Sequence, residues 1–164
     1  CIRDSAMTMG ACSINGRHGN GDDDYFSAFT TFPRHQWLYD EPLTIVVDTL
    51  RDSVSTPGCM VLTVRHTNGY AYSNLWLELA SMRADTVVRA DTINVILADR
   101  FGRRRGKGSG PSLQVSDTIA RATTIAQGDT FRLRHIMRMD TLDNIEQIGI
   151  SFLPFASSYQ PISK

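Results

Sequence analysis

The chain has 164 residues, with 17 basic and 17 acidic side chains, so its formal net charge is zero. This length suits one domain with a sizeable core, and the lack of a basic excess argues against a dedicated nucleic-acid-binding protein. No run of apolar residues approaches the roughly 18 that a membrane-spanning helix requires. The many threonine, valine and isoleucine residues favour a β-rich fold.

The N-terminal segment begins with Cys1 and continues to Asp24 as a polar stretch rich in glycine, asparagine and aspartate. A chain that starts on cysteine is typical of a mature bacterial lipoprotein, in which acyl chains are attached to that cysteine. Two or three acyl chains anchor a protein stably, because each buried methylene contributes about 0.8 kcal/mol. The alternative is a sequence boundary that happens to fall at a cysteine. We expect residues 1–24 to be a lipidated and flexible linker.

Two further cysteines, Cys12 and Cys59, could form a disulfide. The oxidising envelope allows such a bond, and its long loop would give a contribution of roughly 4 kcal/mol at most. Because Cys12 lies in the expected linker, the sequence slightly favours two free thiols.

Short segments of alternating apolar residues, separated by turn residues, follow the linker. Eight strands are predicted, at 25–32 and 43–49, as a pair within 61–79, and at 86–98, 113–125, 130–138 and 145–153. Residues 33–42 are expected to connect the first two strands, with Trp37 at an end of the core, and residues 156–164 to form a polar tail. The pattern indicates an all-β fold, an antiparallel β-sandwich of jelly-roll type over residues 25–155.

The stretch 61–79 contains a strand, the turn signal Asn68-Gly69 and a second strand. Asparagine followed by glycine tolerates positive φ and lets the chain reverse. The stretch therefore predicts a hairpin, or two neighbouring strands joined by about five to seven residues. One face of the first strand is mainly apolar and carries Met60, Leu62, Val64 and His66.

The loop 102–110, GRRRGKGSG, is the most conspicuous polar feature. Its cations are Arg103, Arg104, Arg105 and Lys107. It is not a phosphate-binding P-loop, because the glycine spacing is one residue short, no Ser or Thr follows the lysine and no helix pattern comes next. A looser contact with phosphorylated lipid head groups or an acidic partner is one interpretation. The other is a solvated loop.

Four aromatic residues, Trp37, Tyr70, Tyr72 and Trp76, could provide a platform on which sugars stack. Large aromatic side chains also fill cores, so packing explains them equally well. Arg65 and Arg138 lie on the polar faces of predicted strands. They could form cross-strand ion pairs with Glu78, Asp91 or Asp99.

No metal, cofactor or catalytic site is predicted. The four histidines lack metal-ligand spacing, and His135 alternates with apolar residues as a core histidine does. The acidic run Asp22-Asp23-Asp24 lacks the alternate spacing of a calcium loop. No nucleophile elbow supports a hydrolase.

The stretch 65–77 resembles the hallmark segment of the gliding motility-associated lipoprotein GldH family, in which a strand ending in arginine leads into Tyr-x-x-Ser-Asn-Leu. The matching residues here are Arg65, Tyr70, Ser73, Asn74 and Leu75. Further similarity runs in order through residues 25–153 and includes Trp37, Asp40, Asp91-Thr92, Leu97-Ala98-Asp99, Gly102, Gly106, Gly108, Gly110, Met137-Arg138 and Ile148-Gly149-Ile150, as well as Cys1. The chain departs from the family at 103–105, where three arginines replace an aromatic residue that is commonly tryptophan.

The resemblance implies a non-enzymatic lipoprotein of the cell envelope, an accessory or scaffold component of a motility or secretion assembly. Its implied partners are the membrane, through the lipid, and other envelope proteins, with no nucleic acid. The expected location is the periplasmic side of the outer membrane. The alternative is a lipid-anchored jelly-roll module that binds glycans.

Several matching residues are expected to have structural roles, namely Arg65, Ser73, Asn74, Asp99, Gly102 and Arg138. In particular, buried side chains at Ser73 and Asn74 would bond to the backbone and hold the two strands of 61–79 in register.

Overall fold

The computed structural model describes residues 26–48, 50 and 57–155. Within these ranges the regular structure is antiparallel β, apart from one short 3-10 turn at Pro33–His35. The predicted all-β antiparallel sandwich is confirmed, with eleven strands instead of eight. The three additional strands have three residues each and lie between the predicted strands: β2 (Gln36–Leu38), β7 (Lys107–Ser109) and β10 (Thr141–Asp143).

The larger sheet has five strands. In spatial order they are β1 (Phe26–Thr31), β11 (Ile145–Pro154), β4 (Gly58–Thr67), β8 (Ser112–Thr123) and β7. The cross-strand register places Phe26 opposite Phe152, Phe152 opposite Met60, and Met60 opposite Ala120. The first strand was predicted one residue longer at each end, and Tyr25 lies outside the described residues.

The smaller main sheet has four strands, in the order β3 (Leu43–Val46), β9 (Thr130–His135), β5 (Asn74–Arg83) and β6 (Thr86–Ile96). Strands β5 and β6 form a long hairpin whose two turn residues, Ala84 and Asp85, have φ of 47° and 61°. The segment 86–98, predicted as a strand, forms one strand over Thr86–Ile96, and Asp91 pairs with Leu79 in an unbroken stretch of the ladder.

The core lies between the two main sheets. It is built from alternate residues of each strand, because successive side chains of a strand point to opposite faces. Its fully buried members include Leu62, Val64, Leu75, Leu77, Val95, Leu133, Ile148 and Ile150. Trp37, on the small β2–β10 sheet, is also fully buried and lies edge-on to His135 at 5.2 Å. It covers one end of the core, as the sequence predicts.

The stretch 61–79 does not form a hairpin. Its two strands belong to different sheets, since β4 is in the five-stranded sheet and β5 in the four-stranded sheet. The connection, residues 68–73, has the predicted length but carries the chain across the core. The turn signal at Asn68-Gly69 is local, and it does not specify whether the returning strand pairs with β4 or crosses to the facing sheet.

The two ends of the sandwich carry different parts of the chain. We call the end that holds Phe26, Met60 and Phe152 the base, because the described chain enters and leaves there. The opposite end, which holds the connections 68–73 and 97–106, is called the tip. Strand β8 runs from tip to base over 12 residues. At about 3.3 Å per residue, the two ends are roughly 36 Å apart.

Cys59, at the base, is part of a disulfide and is fully buried. The expectation that favoured a free thiol at this position is therefore wrong. The other two cysteines, Cys1 and Cys12, lie outside the described residues, as do the rest of the expected linker 1–24, with His18 and the acidic run at 22–24, and the expected tail at 156–164.

Candidate functional site

The basic loop at the tip is a compact turn organised by Asp99. The carboxylate Oδ1 of Asp99 accepts hydrogen bonds from the backbone N–H groups of Phe101 and Arg103, at 2.8 and 2.9 Å. The backbone of Asp99 also bonds to Arg103 and Gly102. Gly102 has φ of 78°, a left-handed conformation that glycine adopts at low cost. Aspartate bonding to N–H groups a few residues ahead is a common way to fix a turn.

Arg104 ties this loop to the other long connection of the tip. Its guanidinium donates hydrogen bonds to the backbone carbonyl oxygens of Tyr72, at 2.8 Å, and of Tyr70. Its own backbone pairs with Ala98. Two carbonyl groups in the connection 68–73 thereby receive charge-assisted donors from a single side chain. Arg104 was predicted as part of a binding surface, but the structure assigns its guanidinium to holding the two connections together.

The connection 68–73 packs its aromatic residues inward. Tyr70 is fully buried, and its hydroxyl donates to the carbonyl oxygen of Asn74 at 3.1 Å. Burial raises the pKa of the Tyr70 phenol well above its usual value. The ring of Tyr72 meets that of Tyr70 edge-on at 5.6 Å. Both tyrosines therefore support the connection from inside.

The side chains of Ser73 and Asn74 do not have the roles predicted for them. The side chain of Ser73 is exposed, and it is the backbone carbonyl of Ser73 that accepts hydrogen bonds, from the N–H groups of Leu97 and Ala98. The Asn74 side chain donates to Asn94 on the neighbouring strand at 3.0 Å. Neither side chain holds β4 and β5 in register, because those strands are in different sheets.

The outer side of the basic loop is cationic and carries one exposed aromatic ring. Its exposed cations are Arg100, Arg103, Arg105 and Lys107. None of them forms an ion pair with another residue in the described ranges. Phe101 is 66% exposed, and the guanidinium groups of Arg100 and Arg103 lie 4.7 and 5.5 Å from its ring centre. We call Arg100, Phe101, Arg103, Arg105 and Lys107 the tip surface.

Two members of the tip surface, Arg100 and Phe101, were not among the predicted site residues. An available signal was the isolated phenylalanine in a segment rich in glycine and arginine, where no strand alternation explains an apolar side chain. An aromatic ring without a place in the core, flanked by cations, is a feature of interaction surfaces.

The predicted sugar-stacking platform is not formed. Trp37 and Tyr70 are fully buried, and Tyr72 is half-buried. Trp76 is 40% exposed, but Trp37 and Tyr70 have no exposed ring surface to place beside it. The sequence allows these four aromatic residues to line one groove, but in the structure they are divided between the core and the surface.

Arg65 and Arg138 do not pair with the predicted acids. The guanidinium of Arg65 lies 3.4 Å from Glu146, which is on the adjacent strand β11. Glu78 pairs with Arg134 and Asp91 with Arg89 instead. Arg138 follows the end of β9 and has no ion pair among the described residues. These pairs depend on which strands are adjacent, and that order is not visible in the sequence.

The buried histidines are core residues. His66 and His135 are fully buried, and burial lowers the pKa of each imidazole below its ordinary value. Within the described ranges no group of three or more histidine, cysteine or acidic residues could hold a metal ion. Nor do these ranges include a helix that is long and apolar enough to cross a membrane.

Comparisons with known proteins identify a family. The family model described as GldH lipoprotein matches residues 24–152. No curated protein matches the chain. Among solved structures, the chain is similar to Eiger TNF from S. frugiperda, at 12% identity over 86% of this chain and 99% of that one, with a TM-score of 0.39. It is also similar to zebrafish complement 1qA, at 15% identity over 80% and 97%, with a TM-score of 0.35.

A third solved structure with similarity is dimeric latent PorU from Porphyromonas gingivalis, at 7% identity and a TM-score of 0.34. The match covers 80% of this chain and 13% of that one.

Proposed function

The chain belongs to the GldH lipoprotein family, and we propose that it is a non-enzymatic envelope lipoprotein that serves as an accessory or scaffold component of a motility or secretion assembly. In this proposal Cys1 carries the lipid, the protein lies on the periplasmic side of the outer membrane, and the tip surface binds an acidic region of another envelope protein.

The observation that supports this proposal most strongly is the contrast within the basic loop. Arg104 and Asp99 fix the loop backbone, while the four cations on its outer side have no acidic partner in the described chain. A surface of one charge attracts a partner of the opposite charge and steers its approach. Because the loop is already held in place, little conformational entropy is lost when a partner binds.

The position of the tip surface favours a protein partner over the anchoring membrane. The described chain enters the sandwich at the base with Phe26, roughly 36 Å from the tip. A lipid on Cys1 attaches the sandwich to the membrane through its base, where the chain enters at Phe26. The tip surface is the part of the described sandwich farthest from that attachment, where another envelope protein is accessible.

The test is affinity purification of the full chain from envelope fractions, with and without charge reversal at the tip. We expect the triple variant Arg103→Glu, Arg105→Glu and Lys107→Glu to lose envelope proteins that the unchanged chain recovers. The matched control reverses the charge of Arg121 and Arg132, which are exposed on strands β8 and β9. This control should still recover the envelope proteins. Recovery of the same proteins by both variants, or of none by the unchanged chain, would contradict the proposal.

The anchor is tested separately by metabolic labelling with a fatty-acid analogue. The unchanged chain should be labelled, and Cys1→Ser should abolish the label. A label that persists in Cys1→Ser would show that the lipid is not attached at Cys1.

A further inference from the structure

The outer edge of strand β6 is unpaired. In the four-stranded sheet β6 is last in the strand order and pairs with β5, and no other strand of the described chain lies beside it. Alternate residues of an edge strand direct their N–H and C=O groups away from the sheet, where a further strand can pair with them. Strand β6 has 11 residues, whereas edge strands are usually kept short.

This edge also carries exposed apolar side chains. Val87 and Val88 are 54% and 67% exposed, the highest values among the large aliphatic residues of the described ranges. A cavity of about 170 Å³ opens on the same side of the sandwich, between β6 and β8, and Val88 and Ile93 are among its lining residues. A long edge strand with exposed valines is a site at which another strand can add.

Two charges next to the valines restrict which strand can add. On β6, Asp91 lies opposite the core residue Leu79, and Arg89 is two residues before it on the same face. Arg89 and Asp91 form an ion pair with each other. Charged side chains on an edge strand oppose pairing with most other edges, because like charges directly opposite each other are destabilising. The strand that fits places an acid opposite Arg89 and a base opposite Asp91.

A second copy of β6 meets this requirement. In an antiparallel pair related by a two-fold axis at Ala90, Arg89 of each copy lies opposite Asp91 of the other, and no other antiparallel register of β6 on itself pairs these charges. The four charges alternate in sign around the axis, so each has an opposite charge in its own chain and another across the new ladder. The β5–β6 ladder has an irregularity at Val88 and is regular from Arg89 onward. The three central residues therefore have ordinary strand geometry.

We propose that the protein forms a homodimer in which the β6 strands of two copies pair antiparallel around Ala90. The two four-stranded sheets then become one continuous sheet. Val87 and Val88 of each copy lie opposite Ile93 and Thr92 of the other, and the two cavities open toward each other across the axis. Because the same surface is used by both copies, the contact closes on itself and the assembly stops at two.

The dimer has a defined arrangement of base and tip. Ala90 lies four residues after Thr86, where β6 begins at the base, a distance of about 13 Å. The second β6 strand runs in the opposite direction, so the two bases lie near the axis and the two tips point in opposite directions. This inference goes beyond the proposed function, since it depends neither on the lipid nor on the partner of the tip surface.

The first test is a cysteine cross-link in the full chain. Residues directly opposite each other in an antiparallel ladder have Cβ atoms about 4.5–5.5 Å apart, so Ala90→Cys should form a covalent dimer under mild oxidation. Thr92→Cys is the matched control, because it is exposed on the same face of the same strand but would lie about 13 Å from its counterpart. The unchanged chain, oxidised in parallel, gives the background from the native cysteines.

The yield of covalent dimer is measured on a non-reducing gel. We expect Ala90→Cys to cross-link at least about tenfold more than Thr92→Cys. Equal yields from the two variants would contradict the register. A cross-link from Ala90→Cys to a different envelope protein, or none above the background, would overturn pairing with a second copy.

The second test exchanges the charges in the Ala90→Cys background. Arg89→Asp places acids opposite each other on both sides of the axis and should lower the yield of covalent dimer about tenfold. Adding Asp91→Arg restores opposite charges and should restore the yield. A mixture of the two single variants, Arg89→Asp and Asp91→Arg, should give mixed dimers, because each supplies the charges that the other lacks. An unchanged yield in Arg89→Asp, or no recovery in the double variant, would overturn the proposed pairing.

Discussion

The tip and the base of the sandwich are held together by different interactions. At the tip, hydrogen bonds from Asp99 and Arg104 fix two long connections over a buried tyrosine. At the base, strands end in short turns, Arg83 forms a two-point ion pair with Asp129 at 2.9 and 3.1 Å, and Cys59 is in a disulfide. The tip therefore depends on a few polar side chains, so single substitutions there should have the larger effects.

The largest effect is expected for Arg104→Ala. It removes two charge-assisted hydrogen bonds to the carbonyls of Tyr70 and Tyr72. Such a bond contributes about 1.5–3 kcal/mol, and the two are not additive because one guanidinium donates both. We expect the free energy of unfolding to fall by about 2–4 kcal/mol, measured by chemical denaturation. Arg103→Ala, the adjacent control, should change it by less than about 0.5 kcal/mol. Equal effects of the two substitutions would show that Arg104 does not hold the tip.

The next largest effect is expected on acidification, which should lower the free energy of unfolding. The folded-state pKa of His66 and His135 is lowered by burial, so the unfolded chain binds protons more readily. Stability contributed by the neutral imidazoles is present above the ordinary pKa of about 6.5 and is lost as the pH falls below it. Each histidine can remove up to about 1.4 kcal/mol per pH unit.

This pH dependence is measured by denaturation between pH 8 and pH 5. His35→Asn, at an exposed position, is the control and should keep the slope of the unchanged chain. His66→Asn, if it folds, should have a shallower slope. An unchanged slope in His66→Asn would exclude His66 as a source of the effect.

Asp99→Ala should have a smaller effect. Two backbone N–H groups, of Phe101 and Arg103, lose their acceptor but remain open to water. We expect a loss of about 1 kcal/mol, comparable to removing a helix N-cap. Asp99→Asn keeps an acceptor oxygen and should restore most of the stability. Thermal denaturation of the three proteins checks this, and a full loss in Asp99→Asn would show that the negative charge is essential.

The smallest effect is expected at the base, in the β5–β6 turn. Ala84 and Asp85 both have positive φ, which asparagine and glycine tolerate better. Ala84→Asn combined with Asp85→Gly should therefore stabilise the protein by about 0.5–1 kcal/mol, measured by chemical denaturation. Thr86→Gly, in the adjacent strand, should not stabilise it. A destabilised turn variant would mean that Asp85 makes a contribution beyond its backbone conformation.

The sequence predicts the strands well because the alternation of apolar and polar residues along a strand is a local pattern. The alternation in β4 and the burial of Ile45, Val47 and Trp37 follow from residue type and spacing. The pairing of strands is a long-range property, which explains the wrong hairpin at 61–79 and the wrong partners for Arg65. The same limit applies to Cys59, because the sequence does not show that its partner can reach the base.

The candidate site was predicted in part. The basic loop and its glycines stand out by composition, but Arg104 has the same chemistry as Arg103 and Arg105. Only the fold shows that its side chain turns back toward Tyr70 and Tyr72. Phe101 was missed because an exposed aromatic residue in a loop has no periodic signal.

The three consecutive arginines have different roles in the tip. Arg104 holds the shape of the loop through the carbonyl groups of Tyr70 and Tyr72, whereas the side chains of Arg103 and Arg105 are exposed. The charge of the tip surface can therefore be reversed at 103 and 105 while the guanidinium that holds the loop is kept. Shape and surface charge of this loop are separately adjustable, although the residues that set them are adjacent in the sequence.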